Sequence, residues 1–220
     1  MDMSYHQSMA KTKSSIAKKN SPKDKQTSLK GYGHAVPKRD VEVISKELVY
    51  AGPAFSVTKE FVHEGKKKGR RDIIRHTGSV VVLCVADGNK NEEPQILLIE
   101  QYRHAAAQVM WELPAGRIDA GENKLAAAKR ELLEETGVKA TKWKHAFQFY
   151  ASPGFLDETM DIYLARGLTI GEARPEEDEQ IRVHFVPLEK ALKMVMQNKI
   201  KDAKTMTAVM WFAQSESYLS

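Results

Sequence analysis

The chain has 220 residues, 42% of them hydrophobic and 29% charged, enough for one domain with a substantial core plus appendages. No run approaches the eighteen or so apolar residues of a membrane span, and the N-terminus lacks the apolar core of a secretory signal, so neither is expected. The net charge of +5 belongs to residues 1–40, which hold nine Lys/Arg and three Asp/Glu; the remaining 25 basic and 26 acidic residues nearly cancel, and nucleic acid is not the expected partner.

Residues 1–40 are rich in Lys, Ser and Gln and poor in side chains worth burying, which predicts a disordered basic tail. A solubilising extension is favoured over an RNA-binding arm, and the lack of Arg before Arg39 argues against a mitochondrial presequence. Order is expected from Val41. Strands are predicted at Val41 to Tyr50, Phe55 to His63 and Asp72 to His76, with a turn at Gly65 to Gly69. They make 41–75 an N-terminal antiparallel β segment ahead of a main domain over 76–220. Ser79 to Ala86 is a continuous apolar run, hence a central strand, with Gln95 to Tyr102 as its partner. The single cysteine, Cys84, lies in that run as a small apolar residue, and a reducing cytoplasm is the expected compartment. A helix follows at about Glu122 to Thr136. Further strands are predicted at Lys142 to Tyr150, Thr159 to Ala165 and Gln180 to Val186, and helices at Leu188 to Gln197 and Asp202 to Ser217. Mixed strands with helices on both sides predict an α/β/α sandwich.

The chemistry concentrates on the middle helix. Glu131, Glu134 and Glu135 share one helical face, where unrelieved like charges would weaken the helix. A cluster of hard oxygen donors is what Mg²⁺ requires, and Mg²⁺ is usually shared with substrate phosphates. Arg130 is placed to pair with and orient the carboxylates. Glu122 suits the helix start, and Gly137 suits a left-handed helix end. A solvated acidic face laced with Arg and Lys is the bland alternative, which Glu122 and the flanking glycines disfavour.

Gly116, Glu122, Arg130-Glu131-Leu132, Glu134-Glu135 and Gly137-Val138 stand at the spacing of a complete Nudix box, so the chain resembles the Nudix hydrolases. Nine matched positions arise by chance on the order of 10⁻⁹ per starting point. Pro153, sixteen residues after Gly137 in Ser152-Pro153-Gly154-Phe155-Leu156-Asp157-Glu158, is similar to the ADP-ribose pyrophosphatase subgroup, as are Gln101-Tyr102-Arg103 and Trp111-Glu112-Leu113-Pro114-Ala115-Gly116. The resemblance implies the Nudix-type sandwich with a mixed sheet, and metal-dependent hydrolysis of a nucleoside diphosphate sugar. It implies Mg²⁺ or Mn²⁺ held by Glu131, Glu134, Glu135 and the Ala115 carbonyl, and Glu158 as general base with Glu131 as rival. It further implies Glu112 as a hydrogen-bonding group for ribose or base. A homodimer is implied too, in which 41–75 packs across the partner and Phe55, Phe61 or Arg71 completes the neighbour's adenine site.

Several residues admit two readings. Arg103 is either a phosphate clamp or an exposed strand-end charge. Trp111 contacts adenine or packs beneath the loop, core packing being the commoner fate. His76 reads as structural, and the run Glu176 to Glu179 as mainly solvated, with Glu179 the best candidate for the cleft. Three functions stay open: hydrolysis of ADP-ribose to AMP and ribose 5-phosphate, cleavage of another nucleotide sugar such as GDP-mannose, and a silent ADP-ribose sensor or RNA-associated protein. The intact glutamates disfavour the last.

Overall fold

The computed structural model describes residues 41–88, 92–173 and 180–219. The basic tail and the acidic run 176–179 lie outside the described residues. Among the described residues there are two sheets. The first is an antiparallel meander of β1 (Val41–Ala51), β2 (Ser56–Glu64) and β3 (Lys67–Arg75). Its second hairpin turns on Gly65 and Lys66 alone, with Glu64 opposite Lys67. Gly65 takes φ of +60°, the first-position glycine that matches strand twist in a two-residue turn. β3 therefore starts five residues earlier than the sequence predicts. Its Lys- and Arg-rich start is solvated and carries no alternation to read.

The second sheet runs β10-β5-β4-β9-β8, built from β4 (Ser79–Ala86), β5 (Gln95–Arg103), β8 (Val138–Tyr150), β9 (Thr159–Ile170) and β10 (Ile181–Pro187). β4 and β9 are parallel and the other pairs antiparallel, so the sheet is mixed, as expected. The apolar run of β4 is buried on both faces, and its alternation sorts the layers. Val80, Val82 and Cys84 point with Leu97 and Ile99 towards α1 (Lys124–Thr136), against Ala127, Ala128 and Leu132. Val81, Leu83 and Val85 point the other way, with Ile96 and Leu98, against α2 (Leu188–Met196) and α3 (Ala203–Leu219) through Met194, Val209 and Phe212. The α/β/α sandwich follows. Cys84 is the apolar core residue expected, its thiol pushed up to about 12 by burial. Among the described residues no helix is long and apolar enough to cross a membrane.

Two short strands that the sequence did not predict create the site. β5 pairs with β4 only at Val85 and Ala86, then diverges to pair with β6 (Gln108–Glu112). β7 (Ala115–Arg117) takes the vacated edge of β4, opposite Ser79 to Val81, and the Val82 amide donates to the Pro114 carbonyl at 2.8 Å. The cleft lies where the strands split. Beyond it, β8 and β9 extend further than predicted as a long two-stranded arm, with Val138 opposite Ile170.

Candidate active site

α1 begins two residues later than predicted, because Asn123 caps it by accepting from the Leu125 and Ala126 amides. It ends on Gly137, left-handed at φ of +71°, as the sequence implies. Glu122, just outside the helix, becomes a partner of Arg130, which donates to its two oxygens at 3.1 and 2.9 Å. The same guanidinium donates to Glu131 at 2.7 Å, to Glu134 at 3.1 Å and to the Arg117 carbonyl at 3.1 Å. These bonds, led by the one to Glu122, hold Arg130 above its ordinary pKa, while Arg130 holds Glu122 below the usual carboxylate range. Three carboxylates and the β7 backbone are thereby connected through one residue. Glu135 reaches β7 by its own bond: it is nearly fully buried and accepts from the Ala115 amide at 3.1 Å. Its carboxylate thus fixes the peptide whose neighbouring carbonyl the resemblance assigns to the metal.

Glu131, Glu134, Glu135 and Ala115 line one cleft of about 410 Å³, together with Arg103 and Glu158. Residues far apart in sequence are brought together there. Gly116 explains how they fit. A Cβ at that position would stand 2.0 Å from the carboxyl carbon of Glu131, so the missing side chain is the space the carboxylate occupies. This cradle of hard oxygen donors suits a divalent cation chemically, although among the described residues no three acidic, His or Cys side chains converge in metal-holding geometry.

Glu158 arrives on the loop between β8 and β9. That loop is docked on the end of β3: the Ile74 amide donates to the Phe155 carbonyl at 2.8 Å and the Asp157 amide to the Ile74 carbonyl at 3.1 Å. Asp157 accepts from Arg75 at 2.9 Å and from the His76 amide at 2.8 Å, and Arg75 also donates to the buried Glu60 at 2.6 Å. Burial raises the Asp157 pKa and these bonds outweigh it, so the group stays below its ordinary value. The adjacent pair is divided in labour: Asp157 anchors the loop while Glu158 faces the cleft, accepting from the Ser79 hydroxyl at 2.7 Å. His76 Nδ1 stands 3.6 Å from Glu158, but it accepts the Gly78 amide at 3.1 Å, so that approach is not a hydrogen bond. His76, read as structural from sequence, also lines the cleft.

The three residues the resemblance or the sequence offered for substrate binding are placed differently. Arg103 lines the cleft, held bidentately by Glu112 at 2.9 Å on each oxygen. Glu112 itself lies behind that wall, 2% exposed and engaged by Arg103 and Lys204. Burial pushes its carboxyl up, but the two cations more than offset this and keep it below its usual range. Arg71, on β3, pairs with Glu64 at 2.5 Å and does not line the cleft of its own chain. Trp111 packs on the α2/α3 side of the sheet against His184, ring centres 4.8 Å apart. Ser79 and Lys204 are cleft residues the sequence did not single out. Ser79 reads as the polar start of a strand, and Lys204 as one lysine among many.

A family model described as the NUDIX domain matches residues 75–208. The chain is 37% identical to an ADP-ribose pyrophosphatase of Bacillus subtilis over 80% of its own length and 94% of the relative's. It is 34% identical to an ADP-ribose pyrophosphatase of Mycobacterium tuberculosis, over 78% and 82% of the two chains, and 32% identical to a methanol dehydrogenase activator of Bacillus methanolicus, over 80% and 94%. A solved structure of an ADP compounds hydrolase superposes with a TM-score of 0.70 at 20% identity, covering 82% of this chain and 96% of that one, which shows a shared fold.

Proposed function

The chain belongs to the NUDIX family, and from that premise we propose that it hydrolyses the pyrophosphate bond of ADP-ribose to AMP and ribose 5-phosphate. The observation that supports this reading best is the convergence of Glu131, Glu134, Glu135 and Glu158 on one cleft beside Arg103. Glu131, Glu134 and Glu135, with the Ala115 carbonyl, would hold Mg²⁺ or Mn²⁺. The ion, when bound, offsets charge on the pyrophosphate oxygens. Arg130 holds Glu131 and Glu134 in place, and Arg103 offers its remaining N–H groups to a phosphate. Glu158, oriented by Ser79, accepts the proton of the attacking water. Glu131 is the weaker candidate for the base, because it already accepts from the Arg130 guanidinium at 2.7 Å and is assigned to the ion.

Release of AMP from ADP-ribose with Mg²⁺, beside GDP-mannose and ADP-glucose, tests the reading. Preference for ADP-ribose, abolished by a chelator, is the expected result. Glu135→Gln keeps an oxygen for the Ala115 amide but removes the charge, so it should raise the Mg²⁺ concentration needed for half-maximal rate roughly tenfold or more. An unchanged Mg²⁺ titration removes Glu135 from the ligand set, and preference for GDP-mannose discards the ADP-ribose assignment. Binding without turnover would make the protein a sensor.

The homodimer belongs to the same proposal. All eleven residues of β1 are exposed, including Val41, Val43, Ile44, Leu48, Val49 and Tyr50. So long an apolar strand at a sheet edge is an aggregation hazard unless a partner covers it. Covered by a second copy, the segment would bring Arg71 to the neighbour's cleft. Sedimentation of the full chain should give a dimer, and Leu48→Lys should shift it towards monomer by about tenfold in dissociation constant. A monomeric wild type ends this part of the proposal.

A further inference from the structure

Glu112 holds two cations at the cleft. Arg103 takes both of its oxygens, and Lys204 Nζ shares Oε2. Lys204 also reaches Asp202 Oδ1 at 3.1 Å. Asp202 caps α3 by accepting from the Thr205 amide at 2.9 Å and from its hydroxyl at 2.5 Å, while that hydroxyl accepts from the Leu113 amide at 2.7 Å. The lysine is therefore locked to β6 and to the start of α3 at once.

Two features of this placement are unfavourable for folding alone. The Lys204 side chain is 10% exposed, and desolvating an ammonium loses much of what its ion pairs return; apolar side chains of similar volume would stabilise the site as well or better. Lys204 also stands in the first turn of a helix, where the macrodipole disfavours positive charge. Both unfavourable choices fall on a residue that lines the catalytic cleft. Among the described residues, neither cation is exhausted. Arg103 bonds Glu112 through Nε and Nη2, leaving Nη1, and Lys204 has two carboxylate contacts for three N–H donors. α1 and α3 cover opposite faces of the sheet, so Lys204 enters the cleft from the layer opposite the glutamates.

We propose that Lys204 joins Arg103 in a cationic subsite that binds the phosphate oxygens of the substrate. The proposal rests on the reading of the substrate as a nucleoside diphosphate sugar and names the side chain that grips its phosphate from the α3 side. Arg103 supplies a directional fork and Lys204 a compact charge. Glu112 sets both, which accounts for its burial behind the wall.

The test is calorimetric binding to the full chain in the presence of chelator, so that divalent ions and turnover are removed. The probes are inorganic phosphate, AMP and, as phosphate-free control, adenosine. Lys204→Met should weaken phosphate and AMP roughly tenfold and leave adenosine unchanged. Lys204→Arg, which keeps the charge, should recover most of the loss. Lys204→Gln, which can still donate to Glu112 and Asp202, should behave like Met and serves if Met does not fold. In steady state, Lys204→Met should raise KM for ADP-ribose about tenfold with kcat within about threefold. Equal phosphate affinity in wild type and Lys204→Met, absent phosphate binding by the wild type, or a parallel loss for adenosine overturns the subsite. Lys204-dependent phosphate binding without ADP-ribose hydrolysis would instead retain the subsite and remove the substrate reading. Hydrolysis with unchanged KM in Lys204→Met removes the subsite alone.

Discussion

Glu158→Gln should lower turnover of ADP-ribose by ~10²–10⁴-fold with little change in KM or in the melting temperature. The substitution is nearly isosteric, and the amide oxygen still accepts from Ser79, whose hydroxyl is 2.7 Å from the carboxylate. The loop does not depend on Glu158 for its position. Asp157 sets that position through Arg75 and the His76 amide, and the Ile74 backbone secures Phe155 and Asp157. What glutamine cannot do is take a proton. A drop confined to kcat therefore isolates proton transfer from loop placement. Arg75→Ala would act through the loop and is a poor substitute for this measurement. Nearly full activity in Glu158→Gln rules the residue out as base and moves the role to Glu131, whose Gln variant is then the next to assay.

Much of this candidate site was legible because the box residues from Arg130 to Glu135 sit on one helix with fixed periodicity. Glu131, Glu134 and Glu135 had to share a face, Arg130 had to lie beside them, and Gly137 had to end the helix. The apolar run from Val80 to Val85 was equally plain, since a strand buried on both faces has no polar positions to confuse it. What stayed hidden depends on pairing between distant segments. β6 and β7 are five and three residues long, and only the divergence of β5 from β4 gives them partners. Lys204 lies ninety-two residues from Glu112, and no local pattern joins a lysine in a helix's first turn to a carboxylate on a distant strand. Glu112 shows the limit from the other side. Its position carries the subgroup motif, yet the side chain is buried and bonds the cleft residues Arg103 and Lys204 without lining the cleft itself. The solvated Lys67 and Lys68 hid the start of β3 for a simpler reason: a strand exposed on both faces has no hydrophobic period.

Gly116→Ala should reduce activity by roughly 10²-fold while leaving stability within about 1 kcal/mol of wild type, and the contrast with two other glycines gives the result its meaning. At Gly116 the added Cβ would lie 2.0 Å from Cδ and Oε1 of Glu131 and 2.3 Å from Oε2. Its backbone is not in the left-handed region, so alanine adopts the conformation without strain. The obstacle is the far end of a flexible side chain, which can swing aside at small cost to the fold. That swing carries the carboxylate away from Glu134, Glu135 and Arg130, and displacements near 1 Å in such a constellation are worth about a hundredfold in rate. Gly137→Ala should do the reverse in origin. There φ is +71° and the added atom would meet the Ala173 amide nitrogen at 2.5 Å, so the helix end is strained by about 1–2 kcal/mol before the backbone clash is counted. Gly154, in the Glu158 loop, has open space around its Cβ position and no positive φ, so Gly154→Ala should change neither property appreciably. Thermal melts and ADP-ribose turnover on the three variants separate these cases. If Gly116→Ala loses stability in proportion to activity, or keeps full activity, Gly116 is not the cradle of the Glu131 carboxylate, and the cleft must hold its ligands in another arrangement.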